Sequence, residues 1–565
     1  MRFFRPYRST ILILISLQSI SSVFFLAGPY LSKLFIDQAF LHKDAARFLH
    51  LSIIGAALFA LSSAAKAVED GIKNNLEAKI KLSLSRRAIQ KLFSLDLAYF
   101  QKNSAGENLY KITNLDIVHR FLVEDIPHVA VDVAKVLIIL VVAARINFSL
   151  TGIFFITSPL LLLWSIFIQR RMLPIYIQLW ESNARLSKDL QDAFSKMRII
   201  KALGLERSLR NRTIKALIGS IRNSTIHARW SIINAVSSNF LAKVVYGVVS
   251  LYGGWLIIQG RLSVGSFAAA MLYIGQLGGL LESLGYNIQY YSEHRVNLGK
   301  FFEIMESIPA IKDSPDAIDF HGIRGEIIFK DVSFGYESNR PVLQGINLCI
   351  PWGSWVAIAG PSGCGKTTLV NLLLRLYEPD TGQILLNGVE LKRVLLGQLR
   401  ARIAIAAQEP LLFNLSIKEN ISLGVQNVAS EKIEEAMKLA QLQEVINTFS
   451  EGNQHAVGDA GCALSEGIKQ RVALARAIIR EPDLLILDEA TSSIDSMTEE
   501  KILHALKEKR RGLATIIISH RLSAIKDAER VYFFGSEGTM VVGAHSQLLL
   551  TCPNYRDFFR PQLGS

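Results

Sequence analysis

Six long apolar stretches in the N-terminal half limit what this chain can fold into more than any other feature. A helix needs about 20 apolar residues to cross a bilayer, so each stretch predicts one membrane-spanning helix. They lie near residues 10–36, 48–68, 126–144, 149–168, 231–258 and 265–289. The first stretch follows a basic start, as a signal peptide would. Because it is long, continues past Pro29 and has no clear small-residue cleavage site, we interpret it as a retained helix.

Charged side chains interrupt or border several of these stretches. They are Lys33, Asp132, Lys135, Lys243 and Glu282. Charged groups inside a membrane usually face a bundle interior or a water-filled cavity, whereas those at helix ends extend to the interface. Both interpretations stay open from the sequence, and contact with a substrate is a third.

Lysine and arginine are concentrated in two long segments between the apolar stretches. The formal net charge is +13, and segments 69–125 and 169–230 are strongly basic, whereas the other connections are short and lightly charged. Basic segments stay on the cytoplasmic side of a membrane. We therefore expect both chain ends in the cytoplasm and the bundle in the inner (cytoplasmic) membrane. Because the charge adjoins apolar stretches, we expect no nucleic-acid partner.

Both basic segments have a helical pattern and would extend far from the bilayer, at about 1.5 Å per residue. Each is expected to be broken once, near Asn103–Gly106 and near Gly204. A short crosswise helix at such a break would contact another domain. An ordinary loop is the alternative.

A different pattern begins after about Gly325, where short β-branched runs alternate with glycine turns and helical patterns. This alternation is typical of an α/β domain. The polar stretch before it predicts a linker, so the expected organisation is a membrane domain at 1–308, a linker at 309–324 and an α/β domain at 325–565. The four cysteines lie in the C-terminal part without C-x-x-C spacing, which disfavours a disulfide framework or a zinc site.

The strongest chemical signal is a glycine-rich loop between a predicted strand, Trp355–Ala359, and a predicted helix that continues from Leu369. The pattern G-x-x-x-x-G-K-[ST] in this context directs backbone N–H groups at phosphate. Lys366 would reach the β- and γ-phosphates, and Thr367 would hold Mg²⁺. The loop consists of Gly360, Pro361, Ser362, Gly363, Cys364, Gly365, Lys366, Thr367 and Thr368.

A second signal is the apolar run at Leu484–Leu487, which ends in two carboxylates. Four apolar residues suit a buried parallel strand, and open α/β sheets bind ligands at the carboxyl ends of such strands. Asp488 is predicted to act on Mg²⁺, directly or through water. Glu489 is predicted to orient and polarise the attacking water. Together the two signals predict a P-loop NTPase.

A wider set of short motifs surrounds these signals in a fixed order. They are Val332–Tyr336, Ala406–Pro410, Val457–Gly461, Leu464–Arg471, Ser492–Asp495 and Ile516–Arg521. Their order and spacing resemble the nucleotide-binding domain of ABC transporters, and the six spans before them resemble the exporter subclass. The resemblance covers essentially the whole chain. It implies a helical membrane bundle fused to an α/β P-loop NTPase of ABC type, a half-transporter that hydrolyses ATP with Mg²⁺.

The resemblance also implies roles for single residues. Tyr336 matches the aromatic residue that stacks on adenine. Gln408 matches the glutamine that senses Mg²⁺ and nucleotide and links to the membrane domain. Asp495 matches a loop aspartate at the dimer interface, and His520 matches the histidine that contacts the γ-phosphate and steadies the catalytic water. The breaks in the basic segments look like the family's coupling helices.

The signature segment departs from the family pattern. Ser465 and Gly467 match residues that cap the ATP held by the opposite subunit, but the usual Leu-Ser-Gly-Gly-Gln here has Glu466 and Ile468. Glu466 puts negative charge near the triphosphate, and Ile468 removes an amide. Two explanations stay open, a homodimer in which both sites carry the variant and a heterodimer with a related half-transporter. We favour the homodimer because every other catalytic position is present.

The resemblance implies that two ATPase domains close around two ATP molecules and tip the membrane bundle from one state to another. The expected function is ATP-driven export or flipping of an amphipathic substrate, such as a drug, a lipid, a lipid-linked glycan or a peptide. With no peptidase domain before the first span, an exporter that processes leader peptides is disfavoured. Alternatives are an ATP-gated channel or low-turnover regulatory protein, a soluble nucleic-acid ATPase and an importer. The intact Glu489 argues against the first, the spans against the second and the fused arrangement against the third.

Overall fold

The chain folds into two compact units, Met1–Ile308 and Pro309–Ser565. The computed structural model describes residues 7–113, 121–337, 340–458, 461–509, 513–535 and 540–563. The first unit is helical. The second unit combines two β-sheets with helices, as the change in sequence pattern after Gly325 predicts.

The described part of the first unit consists of helices joined by short connections. The helices are α1 (Arg8–Ser21), α2 (Val23–Leu34), α3 (Ala45–Phe93), α4 (Leu97–Lys102), α5 (Ala105–Thr113), α6 (Ile126–Ile146), α7 (Phe148–Ser195), α8 (Met197–Ala202), α9 (Glu206–Ile258) and α10 (Val264–Glu306), with π-helical turns at Phe35–Phe40 and Phe121–Asp125. Helix α9 has 53 residues and is about 80 Å long at 1.5 Å per residue. That is more than twice the thickness of a bilayer's hydrocarbon core, about 30 Å, so the helix extends well into water.

Four helical stretches in the described part of the chain are long and apolar enough to cross a membrane. They are Arg8–Phe40, Ala45–Phe93, Glu206–Ile258 and Val264–Leu284. The remaining two predicted spans, 126–144 and 149–168, fall on α6 and α7 and stay predictions.

The basic segments are broken differently from the prediction. Among the described residues, the helical pattern of each segment is interrupted on both sides of a short helix, α4 or α8, rather than once. The Asp96 side chain starts α4 by accepting a hydrogen bond from the Tyr99 N–H at 3.0 Å, which is the usual action of an N-cap. Beyond α8, Gly204 has φ +63°, a conformation that glycine adopts readily. The short helices therefore precede the breaks that the sequence indicates.

The charged residues within the spans differ in burial. Asp132 is 6% exposed, and its carboxylate accepts hydrogen bonds from the Lys135 ammonium at 3.0 Å and from the Ser283 hydroxyl at 3.2 Å. Lys243 is exposed. Pairing of Asp132 and Lys135 inside the bundle is what a buried intramembrane charge requires.

The second unit contains ten strands and ten helices in its described part. The strands are β1 (Ile327–Phe334), β2 (Leu343–Ile350), β3 (Trp355–Ala359), β4 (Thr381–Leu386), β5 (Val389–Glu390), β6 (Ile403–Ala406), β7 (Leu484–Asp488), β8 (Ala514–Ile518), β9 (Arg530–Phe534) and β10 (Met540–Gly543). The helices are α11 (Lys366–Leu373), α12 (Leu396–Arg402), α13 (Ile417–Ile421), α14 (Ser430–Leu439), α15 (Gln443–Ile446), α16 (Glu466–Ile478), α17 (Ser496–Lys509), α18 (Leu522–Ile525), α19 (His545–Thr551) and α20 (Pro553–Leu563).

Strand order places the chemical signals on one edge of the larger sheet. Its order is β10-β9-β3-β8-β7-β6, and all neighbouring pairs are parallel except β9 and β10. Strands β3, β7 and β8 are buried along their whole length, which explains their continuous apolar runs. Because these three strands are parallel neighbours, the loops that follow them meet at the same edge. A smaller antiparallel sheet has the order β2-β1-β4-β5.

Residues 309–324 pack within the second unit. Ile323 is 1% exposed, and its N–H donates to the Asp483 carboxylate at 2.9 Å. The Phe320 N–H donates to the Gln398 side chain. The segment predicted as a linker therefore has its own contacts with the rest of the second unit.

Candidate site for ATP binding and hydrolysis

The loop between β3 and α11 depends on three glycines. Gly360, Gly363 and Gly365 have φ of +152°, +82° and +100°, values that side chains rarely allow. A Cβ on Gly365 would lie 2.6 Å from a methyl group of Leu343, and one on Gly360 would lie 2.8 Å from the Phe534 carbonyl oxygen. Backbone conformation and close packing thus both require glycine at positions 360 and 365, and backbone conformation favours it at 363. The loop leads directly into the N-terminus of α11.

Lys366 is the first residue of α11 and is only 8% exposed. Its ammonium donates to the carbonyl oxygens of Gly360 and Pro361, both at 2.8 Å. The positive charge is therefore held over the loop itself. A phosphate bound by the loop's N–H groups would therefore lie next to the Lys366 ammonium.

Thr367 and Asp488 meet where the loop approaches the end of β7. Asp488 is 6% exposed. Burial raises the pKa of its carboxyl, and the neighbouring Glu489 charge adds to the rise, whereas Lys366 and a hydrogen bond with the Thr367 side chain oppose it. Mg²⁺ in nucleotide sites usually takes only one or two ligands from the protein, while phosphates and water fill its other positions. The Thr367 hydroxyl and the Asp488 carboxylate fit that role. Within the described residues, no group of three or more His, Cys, Asp or Glu side chains could hold a metal ion.

Glu489 is the meeting point of the predicted hydrolytic residues. Its carboxylate accepts a hydrogen bond from the Gln408 amide at 2.8 Å and lies 3.5 Å from the His520 Nδ1. Its own N–H donates to the Ile518 carbonyl at 2.9 Å, which ties the ends of β7 and β8 together. Glu489 also has φ +48°, an uncommon conformation for a residue with a side chain. Such local strain is typical of functional sites.

Tyr336 lies beside the start of α11. Its hydroxyl is 3.2 Å from the Thr368 hydroxyl and accepts a hydrogen bond from the Asn371 amide at 3.1 Å. The ring packs edge-on against Phe334 and Tyr377, with centroids 5.1 Å apart in each case, while 47% of the residue stays exposed. An exposed aromatic face next to the phosphate loop suits the predicted contact with adenine.

The signature residues contact the loop that follows β7. Ser465 is the N-cap of α16. A Cβ on Gly467 would lie 2.9 Å from the Ser493 carbonyl oxygen, so this close approach needs glycine. The Gln470 side chain, 2% exposed, bonds both the Ser492 hydroxyl and the Ser493 N–H at 2.9 Å.

Asp495 closes the same loop. Its carboxylate accepts a hydrogen bond from the Thr498 N–H at 2.9 Å, and this contact holds the pKa of the carboxyl below its usual range. The aspartate thereby caps the start of α17. Gly467 and Asp495 thus both adjoin the loop that follows β7, and Ser465 lies two residues before Gly467 at the start of α16. A second group consists of Lys366, Thr367, Asp488, Glu489, Gln408 and His520.

Comparison with known proteins identifies the family. The model of the ABC transporter family matches residues 343–492, and the model of the ABC transporter transmembrane region matches residues 11–281. An uncharacterised ABC transporter ATP-binding protein of Bacillus subtilis, YwjA, is 30% identical over 571 residues, covering 100% of this chain and 98% of the relative. This chain is an ABC transporter. ATP hydrolysis coupled to transport is its activity.

Two further relatives and one solved structure extend the comparison. The ATP-dependent lipid A-core flippase of Syntrophus aciditrophicus is 30% identical, covering 94% of this chain and 87% of the relative. The fatty acid ABC transporter ATP-binding/permease protein of Mycobacterium tuberculosis is 32% identical, covering 81% of this chain and 73% of the relative. The structure of a bacterial Atm1-family ABC exporter with ATP bound has a TM-score of 0.90 at 24% identity, with 100% of both chains covered. It shows that the transporter has the exporter fold, a helical membrane bundle and an α/β ABC ATPase.

A buried ionic network of the transporter was not expected from its sequence. Glu499 is 0% exposed and bonds the Thr491 and Ser523 hydroxyls. Arg521 lies 3.3 Å from this carboxylate and donates to the carbonyl oxygens of Thr491 and Ile494 at 3.2 and 3.0 Å. The network fixes the loop before Asp495 next to the residue that follows His520. The sequence offered one signal for this network, namely Arg521 directly after His520.

Proposed function

We propose that this ABC transporter exports or flips an amphipathic lipid-like substrate. The observation that carries the proposal is the meeting of Gln408, Glu489 and His520 at the sheet edge, in one chain with a transmembrane region that matches the family over residues 11–281. Curated relatives that align over most of the chain are named for lipid A-core, fatty acids and toxin translocation. Each of these cargoes combines apolar with polar parts.

A cavity in the membrane unit supports an amphipathic substrate. It has a volume of about 750 Å³ and opens between α1, α2, α3 and α10. Aromatic rings and small polar groups share its lining, among them Phe24, Phe25, Phe59, Ser21, Ser52 and Gln276. Binding sites for small molecules commonly combine an apolar surface with a few polar groups that orient the ligand.

In the proposed hydrolytic site, Glu489 orients the attacking water and accepts its proton, His520 steadies that water near the γ-phosphate, and Gln408 holds the Glu489 carboxylate. Lys366 and the amides of residues 360–368 bind the phosphates. Tyr336 stacks on adenine. Thr367, Asp488 and Gln408 would hold Mg²⁺, and the ion would supply positive charge to offset that of the phosphates.

We further propose a homodimer in which Ser465, Gly467 and Asp495 of each subunit complete the site of the other. The presence of all hydrolytic residues in this chain supports a homodimer over pairing with a related half-transporter. The test is affinity purification of the tagged transporter from its native host. A single polypeptide in the dimeric fraction supports the homodimer, and a stoichiometric second half-transporter contradicts it.

The proposed location is the cytoplasmic membrane, with both ends and the ATPase unit in the cytoplasm. The basic segments 69–125 and 169–230 support this orientation. We retain 1–308, 309–324 and 325–565 as the proposed membrane domain, connecting segment and nucleotide-binding domain.

The substrate class is tested with the transporter in proteoliposomes. Lipids, lipid-linked glycans, peptides and cationic drugs are added in turn, and the ATPase rate is recorded. Stimulation by acylated compounds supports the proposal. Stimulation confined to water-soluble compounds without an apolar part contradicts it.

A further inference from the structure

The variant signature places a carboxylate in the first turn of α16. Glu466 directly follows the N-cap Ser465 and is 53% exposed in its side chain. The first N–H groups of a helix have no partners within the helix, and they favour anions together with the helix dipole. A glutamate at this position is itself an anion, so it competes with a phosphate for the same helix end.

Lys469 lies one turn further along and meets this carboxylate. Its ammonium is 3.3 Å from the Glu466 Oε2, and its side chain is only 15% exposed. A Cβ on Gly461 would lie 3.2 Å from the Lys469 Cε, so the lysine stem passes close against that glycine. Lys469 is therefore held by packing, whereas the Glu466 side chain is half exposed and contacts the lysine.

We propose that Lys469 is a positioning residue for ATP because it draws the Glu466 carboxylate along α16 and away from the helix N-terminus. The N–H groups of Glu466 and Gly467, at the start of the helix, then remain accessible to a γ-phosphate in spite of the acidic substitution. The inference rests on the proposed function, in which this helix end caps the ATP of the opposite subunit. The proposal explains how a chain with all the expected hydrolytic residues can carry Glu466 in its signature.

An ordinary surface ion pair would behave differently. Exposed pairs at i,i+3 spacing contribute little to stability, so their loss has no reason to affect ATP binding in particular. Loss of the Lys469 contact should instead raise the KM for ATP and change kcat much less. The effect should also depend on the presence of the Glu466 carboxylate.

The test is a double-mutant cycle on the full transporter in proteoliposomes, with KM and kcat measured from ATPase rates. Lys469→Met should raise the KM about fivefold, which is what an interaction at the upper end of the exposed ion-pair range supplies. The same change in the Glu466→Gln background should alter the KM less than about twofold, because the competing carboxylate is gone. Lys469→Arg should preserve the wild-type KM.

A second variant avoids any defect in folding from loss of the packed lysine. Glu466→Asp keeps the charge at the helix start but shortens its reach toward Lys469, so it should also raise the KM. The matched control is Lys432→Met together with Glu481→Gln, which removes an exposed pair at 2.7 Å in the same unit. The control variant should keep the wild-type KM.

The outcomes separate this inference from the proposed function. An equal rise in KM in both backgrounds, or a fall in kcat alone, means that Lys469 acts through packing and overturns the inference. An unchanged KM for Glu466→Asp overturns it as well. If Glu489→Gln abolishes turnover while the cycle shows no coupling, only this inference fails. If Glu489→Gln leaves turnover intact, the proposed function fails with it.

Discussion

The two units of the transporter differ in where they place apolar and charged side chains. In the ATPase unit, strands β3, β7 and β8 are wholly buried. In the membrane unit, large apolar residues such as Leu251 and Ile156 are 79% and 78% exposed, whereas Asp132 and Glu69 are 6% and 3% exposed. The first arrangement suits water and the second suits lipid, where buried charges need partners.

This difference decides how much function each unit reveals. Residues proposed for hydrolysis contact one another at the edge of the larger sheet, so this geometry supports a specific role for each of them. The cavity between α1, α2, α3 and α10 offers mainly rings and hydroxyl groups, which many amphipathic molecules would satisfy. Side chains in the ATPase unit therefore support one specific reaction, whereas the cavity in the membrane unit would accept many amphipathic molecules.

The largest effect is expected from Glu489→Gln in the ATPase unit. Loss of a general base typically costs about 10²–10⁴-fold in rate, while ATP binding should persist because the phosphate loop is untouched. ATPase assays and binding of a fluorescent ATP analogue measure the two quantities. Glu500→Gln, at an exposed position of α17, is the control. A loss of less than about tenfold would remove Glu489 from the catalytic role.

Asp132→Asn tests the membrane unit. It leaves Lys135 with its positive charge in a site where the lysine side chain is only 16% exposed, and an unpaired buried charge costs about 3 kcal/mol. Unfolding in detergent should therefore show a lower free energy of unfolding. The double change Asp132→Leu with Lys135→Met should recover part of the loss, and Lys243→Met should have little effect. Equal stability of Asp132→Asn and the wild type would contradict the buried pair.

Gly365→Ala should weaken nucleotide binding about tenfold, because a strained backbone costs about 1–3 kcal/mol. The new methyl group would also lie 2.6 Å from Leu343. Gly397→Ala is the matched control, because a Cβ there has nothing within 4 Å. Titration with a fluorescent ATP analogue compares the two variants. Equal affinities would show that the loop tolerates a side chain at this position.

The smallest expected effect is a shift in the pH dependence of metal binding. Burial and the Glu489 charge raise the pKa of the Asp488 carboxyl. The neutral carboxyl therefore contributes to folded stability at low pH, and this contribution is lost as the pH rises through the raised pKa. Glu489→Gln removes one cause of the rise. The acid limb of Mn²⁺ binding, followed by electron paramagnetic resonance with a non-hydrolysable ATP analogue, should therefore move to lower pH. A shift to higher pH would contradict the assigned cause.

The residues proposed for hydrolysis lie close together because each follows an apolar run in the sequence. The runs before Gly360, Asp488 and His520 become parallel buried strands, and parallel strands bring their carboxyl ends together. The match to the ABC transporter family then confirmed the fold class and the activity.

Contacts between distant elements were beyond prediction. The partner of Asp132 on α10, Ser283, lies 151 positions away, and nothing in local periodicity indicates it. The Arg521–Glu499 pair also joins two separate elements, a loop and a helix, and local periodicity does not indicate it either. The breaks around α4 and α8 were misjudged because Asp96 and Lys196 do not interrupt a helical pattern as glycine does.

We propose that hydrolysis at Glu489 in the second unit drives substrate movement through the first. The most direct measurement is the flipping of a fluorescent acyl lipid in proteoliposomes that contain wild type or Glu489→Gln, with and without ATP. We expect ATP-dependent flipping over many turnovers for the wild type and none for the variant. Equal flipping by both proteins, or flipping independent of ATP, would contradict it.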